Sequence, residues 1–461
     1  MTSATKRMVF TLLVMDSVGH NFQGGWRHPQ ARNREFKGLD LWVDLAKKAE
    51  QAKVDAFFFT DVLGIQGEFN RSRDIAFQQA VNVPNGDPAM LISALAGQTS
   101  DIGFLYTSSV ISKHPFMFAR EVSTLDNLSG GRVGWNIVTS ANERAFRNFG
   151  LPSDLSHEDR YRWADEYVDV MYKLWEGSWD VDAVVDDAAR GVYTDPAKIH
   201  DIHHVGERYC VEGFNLMQPS PQRTPVLAQA GGSPAGLDFA SKHAELMFLS
   251  AYTPETIAAQ INAVRAQARA HGRRDGDIKF LQGLMFVVGS TDEEAFRKWQ
   301  DLEQYRSQEG QVAYFAGLSG TDLGRYDPQT PLEDLLDEIP GIQGAFRAVI
   351  NAWPAGAKPT VHDFLTTLSV PQMVVGSPET VAARLADYQA AGVDGVQIMN
   401  ILMPQSYDEF FEHVVPVLQD KGLMQKQYRP GSLRQKLFDV DAPDISKRHP
   451  AFGYRGMFTG R

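Results

Sequence analysis

The chain has 461 residues, of which 43% are hydrophobic and 22% charged, as in an ordinary globular protein. Its formal net charge of −12 argues against a nucleic-acid or anionic-membrane partner, because binding those polyanions requires a cationic surface. The single cysteine, Cys210, excludes internal disulfides and cysteine-based metal clusters, and it fits a reducing cytoplasm.

The amino-terminal residues MTSATKRMVF run directly into an apolar strand pattern, without a hydrophobic region long enough for a signal peptide. No segment approaches the roughly 18 uninterrupted apolar residues of a membrane span. We therefore expect a cytoplasmic protein without a membrane partner.

Eight short apolar runs alternate with amphipathic helical stretches along the chain. The runs are continuously apolar, which indicates parallel strands covered on both faces. Eight such strands predict an α/β fold of the (β/α)8 TIM-barrel type, with a doubly wound sheet as the alternative architecture. The predicted strands are residues 10–15, 55–61, 102–108, 134–140, 225–231, 244–250, 278–288 and 395–401.

A barrel of this type takes about 250 residues, so a large part of the chain must lie outside it. We predict one domain over residues 1–461 with insertions at approximately 176–224 and 300–372. The polar residues 428–461 are predicted to form a carboxyl-terminal extension that wraps over the body or over a neighbouring subunit.

Polar residues follow several of the predicted strands at the same end. Asp61 and Thr107 end two of them, and the fourth finishes as NIVTS, with Asn136 and Ser140. Each alone is an ordinary loop onset, but active sites of barrels gather at the carboxyl ends of the strands. The recurrence predicts a shared site there. The preceding LDNLSGG predicts a helix end with Gly130 or Gly131 as a left-handed cap.

Two helix starts carry further candidate residues. In SHEDRYRWADEY, Ser156 is the natural N-cap, and His157 and Tyr161 lie four residues apart on one helical face. In QAGGSPAG, Gly232 and Ser233 precede a helix whose free N–H groups suit a phosphate. A capped helix with a solvated histidine and an ordinary strand–helix turn are the structural alternatives. The HDIHH stretch (200–204) lacks metal-site spacing, so we predict a surface loop and no metal.

Several long motifs resemble the family of nitrilotriacetate monooxygenase component A, dibenzothiophene-sulfone monooxygenase and pristinamycin synthase. These are flavin monooxygenases of the bacterial-luciferase-like group. The likeness runs from about residue 8 to residue 425 in one order. The motifs are GHNFQGGWRHP, DAFFFTD, STLDNLSGGRVGWNIVTSANERAFRNFG, HEDRYRWADEYVDVMYKLWEGSW, HHVGERYCVEGFNLMQPSPQRTPVLAQAGGSPAG and ADYQAAGVDGVQI.

The resemblance implies a luciferase-like barrel with long insertions and a two-component monooxygenase. A separate NAD(P)H:FMN reductase is expected to supply reduced FMN, which reacts with O2 to a C4a-(hydro)peroxyflavin that oxygenates a small organic substrate. The resemblance also implies that the protein forms a homodimer or a homotetramer. The alternatives are an F420-dependent oxidoreductase on the same barrel and a non-catalytic flavin-binding protein.

The resemblance also implies roles for individual residues. Asp61, Thr107, Asn136 and Ser140 are expected beside the flavin ring or ribityl chain, and His157, Tyr161, Gly232 and Ser233 near its phosphate. His20 matches a loop histidine near the reacting face and is expected to donate a proton or a hydrogen bond, at its ordinary near-neutral pKa. Aromatic side chains, among them Phe116 and Phe118, are expected to line a dry mouth.

Overall fold

The fold was analysed in a computed structural model, which describes residues 6–459 except for a few positions. The omitted positions within that range are 66, 141, 337, 340–345, 348, 351, 352, 355 and 368–371. Parts of the predicted insertion 300–372 and the end of the predicted extension 428–461 therefore lie outside the described residues.

Eight parallel strands form a closed barrel, as the sequence predicts. The strands are β1 (Val9–Met15), β2 (Ala56–Thr60), β3 (Gly103–Ser109), β4 (Val133–Val138), β5 (Val226–Ala230), β6 (Leu246–Phe248), β7 (Lys279–Val288) and β8 (Gly395–Met399). Each strand pairs with the next in chain order, and β8 pairs with β1 to close the ring. Closure gives each of the eight barrel strands a partner on both sides, so the barrel itself has no free edge.

Helices cover the outside of the barrel and extend over its ends. They are α1 (Leu39–Gln51), α2 (Asp74–Gln78), α3 (Pro88–Ala96), α4 (Pro115–Leu128), α5 (Glu143–Asn148), α6 (His157–Tyr172), α7 (Pro234–His243), α8 (Pro254–Ala270), α9 (Asp292–Glu303), α10 (Gln308–Ser319), α11 (Leu332–Leu335), α12 (Val361–Thr367), α13 (Pro378–Ala390), α14 (Gln405–Glu409), α15 (Val415–Asp420) and α16 (Leu433–Phe438). Among the described residues, no helix combines the length and apolarity that a membrane crossing requires.

The predicted insertions carry small elements of their own. Residues 176–224 form two short hairpins, Val184–Asp187 with Val192–Thr194 and His204–Val205 with Cys210–Val211. The described part of 300–372 is helical, and the strand Met373–Gly376 then pairs with the second half of β7. Short 3-10 turns occupy Gly25–Arg27, Asn33–Glu35, Pro196–Lys198, Asp275–Asp277, Leu323–Arg325 and Pro450–Tyr454, and π turns follow at Lys173–Gly177 and Phe410–Val414. The division into one domain with two insertions stays a prediction.

Strand geometry divides the core into an inner and an outer part. Successive side chains of a strand point to opposite faces, so alternate residues fill the lumen. Leu13, Phe58 and Leu105 belong to the inner cluster, whereas Phe104 and Trp135 pack outward against the helices. The lumen below the carboxyl ends of the strands is therefore mainly apolar, with Thr11 and Gln397 as buried polar residues among the inward side chains.

The carboxyl-terminal helix α16 closes the amino-terminal end of the barrel. Leu433 and Leu437 join the inner cluster, and a β-carbon at Gly103 would lie 2.4 Å from a methyl of Leu433. Arg434 is buried and forms a two-point ion pair with Glu245, with N···O distances of 2.7 and 2.9 Å. The hydrophobic and ionic contacts together hold this helix in place.

The glycine pair ahead of β4 ends helix α4 as predicted, since Gly130 and Gly131 have φ of 67° and 85°. Arg132, which follows them, is buried. Its guanidinium donates to carbonyl oxygens of Ala96, Thr99 and other loop residues, and among the described residues it has no carboxylate within 4 Å.

We expect the Glu245→Gln substitution to destabilise the fold strongly, because it leaves Arg434 as a buried cation without a counter-charge. Breaking a buried ion pair in this way costs about 3–5 kcal/mol. Urea unfolding followed by tryptophan fluorescence measures the change. The matched control is Asp420→Asn in the exposed pair with Lys426, where the expected cost is below about 1 kcal/mol. Equal effects of the two substitutions would contradict the expectation.

Candidate functional site

Polar side chains collect at the carboxyl ends of β2, β3 and β4. Alternation points Thr107 and Ser109 of β3 into the barrel, while Tyr106, which precedes Thr107, packs outward. The register of β3 and β4 places Thr107 opposite Asn136, and the Asn136 amide donates to the Thr107 hydroxyl at 3.0 Å. The strand pairing therefore brings two of the predicted site residues into contact.

A cavity of about 220 Å³ lies at this end of the barrel. Three predicted site residues line it, Asp61, Thr107 and Ser140. Ser140 has a left-handed backbone conformation with φ of 52°, and its hydroxyl hydrogen-bonds that of Ser109 at 2.8 Å. The other lining residues are Val62, Leu63, Gly64, Ser109, Val138, Asn142, Ala145 and Gly317. The predicted polar ends of the strands thus form one hollow.

Asn136 carries an unsatisfied acceptor beside this hollow. Asn136 is only 4% exposed, and its Oδ1 has no hydrogen-bond partner among the described residues. Leaving a buried acceptor unpaired costs about 1–3 kcal/mol, so native proteins rarely do it without a reason. A ligand with an N–H group at this position satisfies the oxygen.

His157 and Tyr161 form a second polar group with the start of α7. Ser156 caps α6 as predicted, and the rings of His157 and Tyr161 lie 5.0 Å apart. His157 Nε2 lies 3.1 Å from the hydroxyl of Ser233, which in turn caps α7 by accepting the Gly236 N–H. The sequence prediction that His157 and Tyr161 share one face of a helix is confirmed.

Close packing fixes Tyr161 in this group. Its hydroxyl accepts from Gln229 at 3.1 Å and also contacts the Thr139 hydroxyl, which joins this group to the end of β4. A β-carbon at Gly236 would lie 2.8 Å from the Tyr161 oxygen, so only glycine fits there. Gly232 lies beside Ser250, whose hydroxyl would be 3.1 Å from an added β-carbon.

Carboxylates at the rim have raised pKa values. Burial raises the pKa of Asp61 to about 7, although the Val62 N–H and the Asn85 amide donate to it. Burial and the nearby Asp87 carboxylate raise the pKa of Asp16, directly after β1, to about 6. Sequence reasoning missed Asp16, because its neighbours come from a loop about 70 residues away.

His20 lies near this rim, but not with the properties expected from sequence. Its Nε2 is 3.2 Å from the hydroxyl of Thr60, and that hydroxyl donates its single hydrogen to the carbonyl of Val14. Because that hydroxyl hydrogen is directed to Val14, we assign the His20 proton to Nε2, which leaves the buried Nδ1 lone pair without a partner among the described residues. Burial lowers the His20 pKa to about 4, so the expected near-neutral pKa is wrong and the ring is neutral at pH 7.

The expected aromatic lining is wrong for Phe118. This side chain is fully buried and packs edge-on against Trp135, 5.0 Å away, on the outer face of the barrel. Phe116 is partly buried against the same outer cluster. Both residues lie on helix α4, whereas strand alternation places Phe58 in the inner cluster, where Phe248 packs against it.

Loop contacts enclose the hollow from above. Asn142 and Asn148 donate to the carbonyls of Ile65 and Leu63 at 3.0 and 2.9 Å, which ties the loop after β2 to α5. On the other side Gly67, with φ of 110°, packs so closely on Ala313 that a β-carbon would come within 2.3 Å of the Ala313 oxygen. Sequence reasoning named neither contact.

No metal centre is evident in the part of the chain that the structure describes, where no three His, Cys, Asp or Glu side chains are placed to hold an ion. His204 of the HDIHH stretch instead hydrogen-bonds Lys173 at 2.9 Å and lies near Asp169. Cys210 is exposed on its hairpin.

Residues 18–395 match the model of a protein family described as luciferase-like monooxygenase. A long-chain alkane monooxygenase of Geobacillus thermodenitrificans is 38% identical over 98% of this chain and 99% of its own length. A dimethyl-sulfide monooxygenase of Hyphomicrobium sulfonivorans is 37% identical over 99% and 95%. A dibenzothiophene-sulfone monooxygenase also matches, so the resemblance seen in the motifs is confirmed.

Solved structures agree with this similarity. The crystal structure of DmoA from Hyphomicrobium sulfonivorans superposes with a TM-score of 0.92 at 37% identity, covering 99% of this chain and 97% of that one. A riboflavin lyase, solved with modified FMN and riboflavin, superposes with a TM-score of 0.87 at 36% identity and covers 98% of this chain and 100% of its own.

We expect Asp61→Asn to become increasingly stabilising relative to the wild type as the pH rises from 4 to 7. The unfolded carboxyl loses its proton near its ordinary pKa of 3.8, whereas the folded one keeps it until about pH 7. The folded wild type therefore binds more protons in this window, and its stability falls with rising pH. Above pH 7 the difference should stay constant.

Urea unfolding at pH values from 4.5 to 8 measures this difference. The matched control is Asp154→Asn at an exposed position. A difference between Asp61→Asn and wild type that does not change with pH would show that Asp61 titrates normally in the folded protein.

Proposed function

Because the chain belongs to the luciferase-like monooxygenase family, we propose that it is the oxygenase of a two-component flavin-dependent system. In this proposal a separate NAD(P)H:FMN reductase supplies reduced FMN, and the chain uses it with O2 to oxygenate a small organic substrate. Bound reduced FMN supplies the electrons and the reaction with O2, while the protein binds, orients and shields. We also propose a cytoplasmic homodimer or homotetramer.

The unsatisfied Asn136 oxygen beside the lined cavity is the observation that carries this proposal. The flavin ring system presents an N–H group and carbonyl oxygens, which complement an amide oxygen and the hydroxyls of Thr107 and Ser140. Asp61 lies on the same cavity wall and, with its raised pKa, holds a proton that a ring oxygen accepts. These four residues would hold the ring and the ribityl chain.

The start of α7 suits the phosphate end of the cofactor. A helix amino terminus presents free N–H groups and the positive end of the helix dipole to an anion. His157 and Ser233 already lie within hydrogen-bond distance of each other there, with Tyr161 and Gly232 beside them. We propose that these four residues bind the phosphate.

For His20 we propose a role as hydrogen-bond acceptor near the reacting face. Its neutral ring offers the free lone pair of Nδ1, while Thr60 holds Nε2 in place. Such a group accepts a proton or a hydrogen bond from a reacting O–H group. The role as proton donor fits less well, since an imidazolium is costly in this buried position.

Exclusion of water is the other contribution of the chain. The loop after β2 is tied to α5 and pressed on α10, and it covers the lined cavity. By keeping water from the bound cofactor, this cover would favour transfer of oxygen to the substrate over its release as hydrogen peroxide.

We expect the purified chain, given reduced FMN by a reductase, to consume O2 and to place one atom from 18O2 in a product. An oxygen electrode and mass spectrometry measure these outcomes with a panel of sulfides, sulfones, alkanes and aminopolycarboxylates. A deazaflavin-dependent oxidoreductase would turn over without O2, and a flavin carrier would bind FMN without turnover. Absence of both flavin binding and O2 consumption would refute the proposal.

We expect His157→Ala and Ser233→Ala each to weaken FMN binding by roughly 10–100-fold, because hydrogen bonds to a charged group contribute about 1.5–3 kcal/mol. Quenching of FMN fluorescence measures the affinity. His203→Ala, an exposed histidine on the insertion, is the matched control and should leave the affinity unchanged. An unchanged affinity in both site variants would show that the phosphate does not bind at the start of α7.

A further inference from the structure

A second cavity of about 440 Å³ lies at the opposite end of the barrel from the proposed flavin site. Glu245 and Asp277 line it just before β6 and β7, so it opens below the amino-terminal ends of these strands. The carboxyl-terminal segment forms the rest of the wall, including the apolar side chains of Phe438, Ile445 and Phe452. The family activity needs no ligand here.

The wall of this lower cavity carries a positive excess, although the whole chain has a net charge of −12. Five cationic and three anionic side chains line it, which gives +5 − 3 = +2. The cations are Arg273, Arg434, Lys447, Arg448 and Arg455, and the anions are Glu245, Asp277 and Asp444.

Each lining carboxylate already has a cationic partner. Arg434 pairs with Glu245 at 2.7 Å, and Arg455 pairs with Asp444 at 2.9 Å. Asp277 accepts from Arg448 at 2.9 Å. Within the described ranges, Arg273 and Lys447 remain without a carboxylate closer than 4 Å, so they account for the positive excess.

Arg273 is the more informative of the two because it is only 3% exposed. Its two terminal nitrogens donate to the carbonyls of Ser241 and Asp277 at 3.2 and 2.8 Å, whereas its Nε has no partner. The carboxylates of Glu245 and Asp277 lie near this cation without bonding to it, so they offset only part of the cost of burying it. Burial accordingly lowers the pKa of Arg273.

We propose that the lower cavity binds a small organic anion. Its anionic group pairs with Arg273 and Lys447, and its apolar part packs against Phe438, Ile445 and Phe452. A bare inorganic anion leaves the apolar wall uncovered, and an uncharged molecule leaves Arg273 without a bonded counter-charge. The site is independent of the flavin, since the two cavities lie at opposite ends of the barrel.

Calorimetric titration of the full chain without flavin tests the proposal with three probes. Hexanoate carries both features, 1-hexanol only the apolar one, and inorganic phosphate only the charge. We expect saturable binding of hexanoate at one site, and at least tenfold weaker binding of the other two. Phosphate binding as tight as hexanoate, or no hexanoate binding, would overturn the proposal.

Substitutions locate the binding in this cavity. Arg273→Met should lower hexanoate affinity at least tenfold, and Arg273→Lys should restore part of it. Ala442→Trp blocks the cavity from an exposed position on its rim, without touching the hydrogen bonds of Arg273, and should abolish binding. Ala189→Trp on the exposed turn of the first hairpin is the matched control. Binding that persists in Ala442→Trp would overturn the assignment.

Discussion

Closure of the parallel sheet is the constraint on which the rest of this structure depends. Once β6 pairs with β7 and β8 with β1, every strand runs the same way and alternate side chains must face the lumen. The composition then changes along single strands. In β3, Leu105 belongs to the apolar lumen, whereas Thr107 and Ser109 further along lie at a polar cavity.

Buried carboxylates at the two ends of the barrel differ in whether a cation is bonded to them. At the carboxyl ends of the strands, Asp16 and Asp61 lie in partly buried surroundings with no cation bonded to them, and their pKa values rise. At the amino ends, Glu245 is bonded to Arg434 and the pair holds a helix. Unpaired carboxylates with perturbed pKa values are typical of functional sites, whereas carboxylates in ion pairs are typical of structural positions.

Much of the fold was predictable because its signals are local. Continuous apolar runs located all eight barrel strands within about two residues, and the caps at Ser156 and Ser233 located two helix starts. The i, i+4 spacing of His157 and Tyr161 was enough to place them on one face. The proposed phosphate site therefore follows from short-range patterns.

The remaining features depend on contacts between distant segments, which a single sequence does not encode visibly. Thr60 sets the tautomer of His20 from 40 residues away, and burial then changes its pKa. Burial and the Asp87 carboxylate, which comes from a distant loop, raise the pKa of Asp16. The sequence-based placement of Phe118 at the mouth was wrong because Phe118 lies on helix α4 and packs against Trp135 on the outside of the sheet.

The late position of α16 in the chain has a consequence for biosynthesis. The strands are complete by residue 399, but the floor of the barrel arrives only with Leu433 and Leu437. Until that segment has been synthesised and has packed, the lumen stays open to water from below and its apolar side chains are available to chaperones. A chain that stops between residues 399 and 433 would therefore contain every barrel strand but would leave the apolar interior open to water.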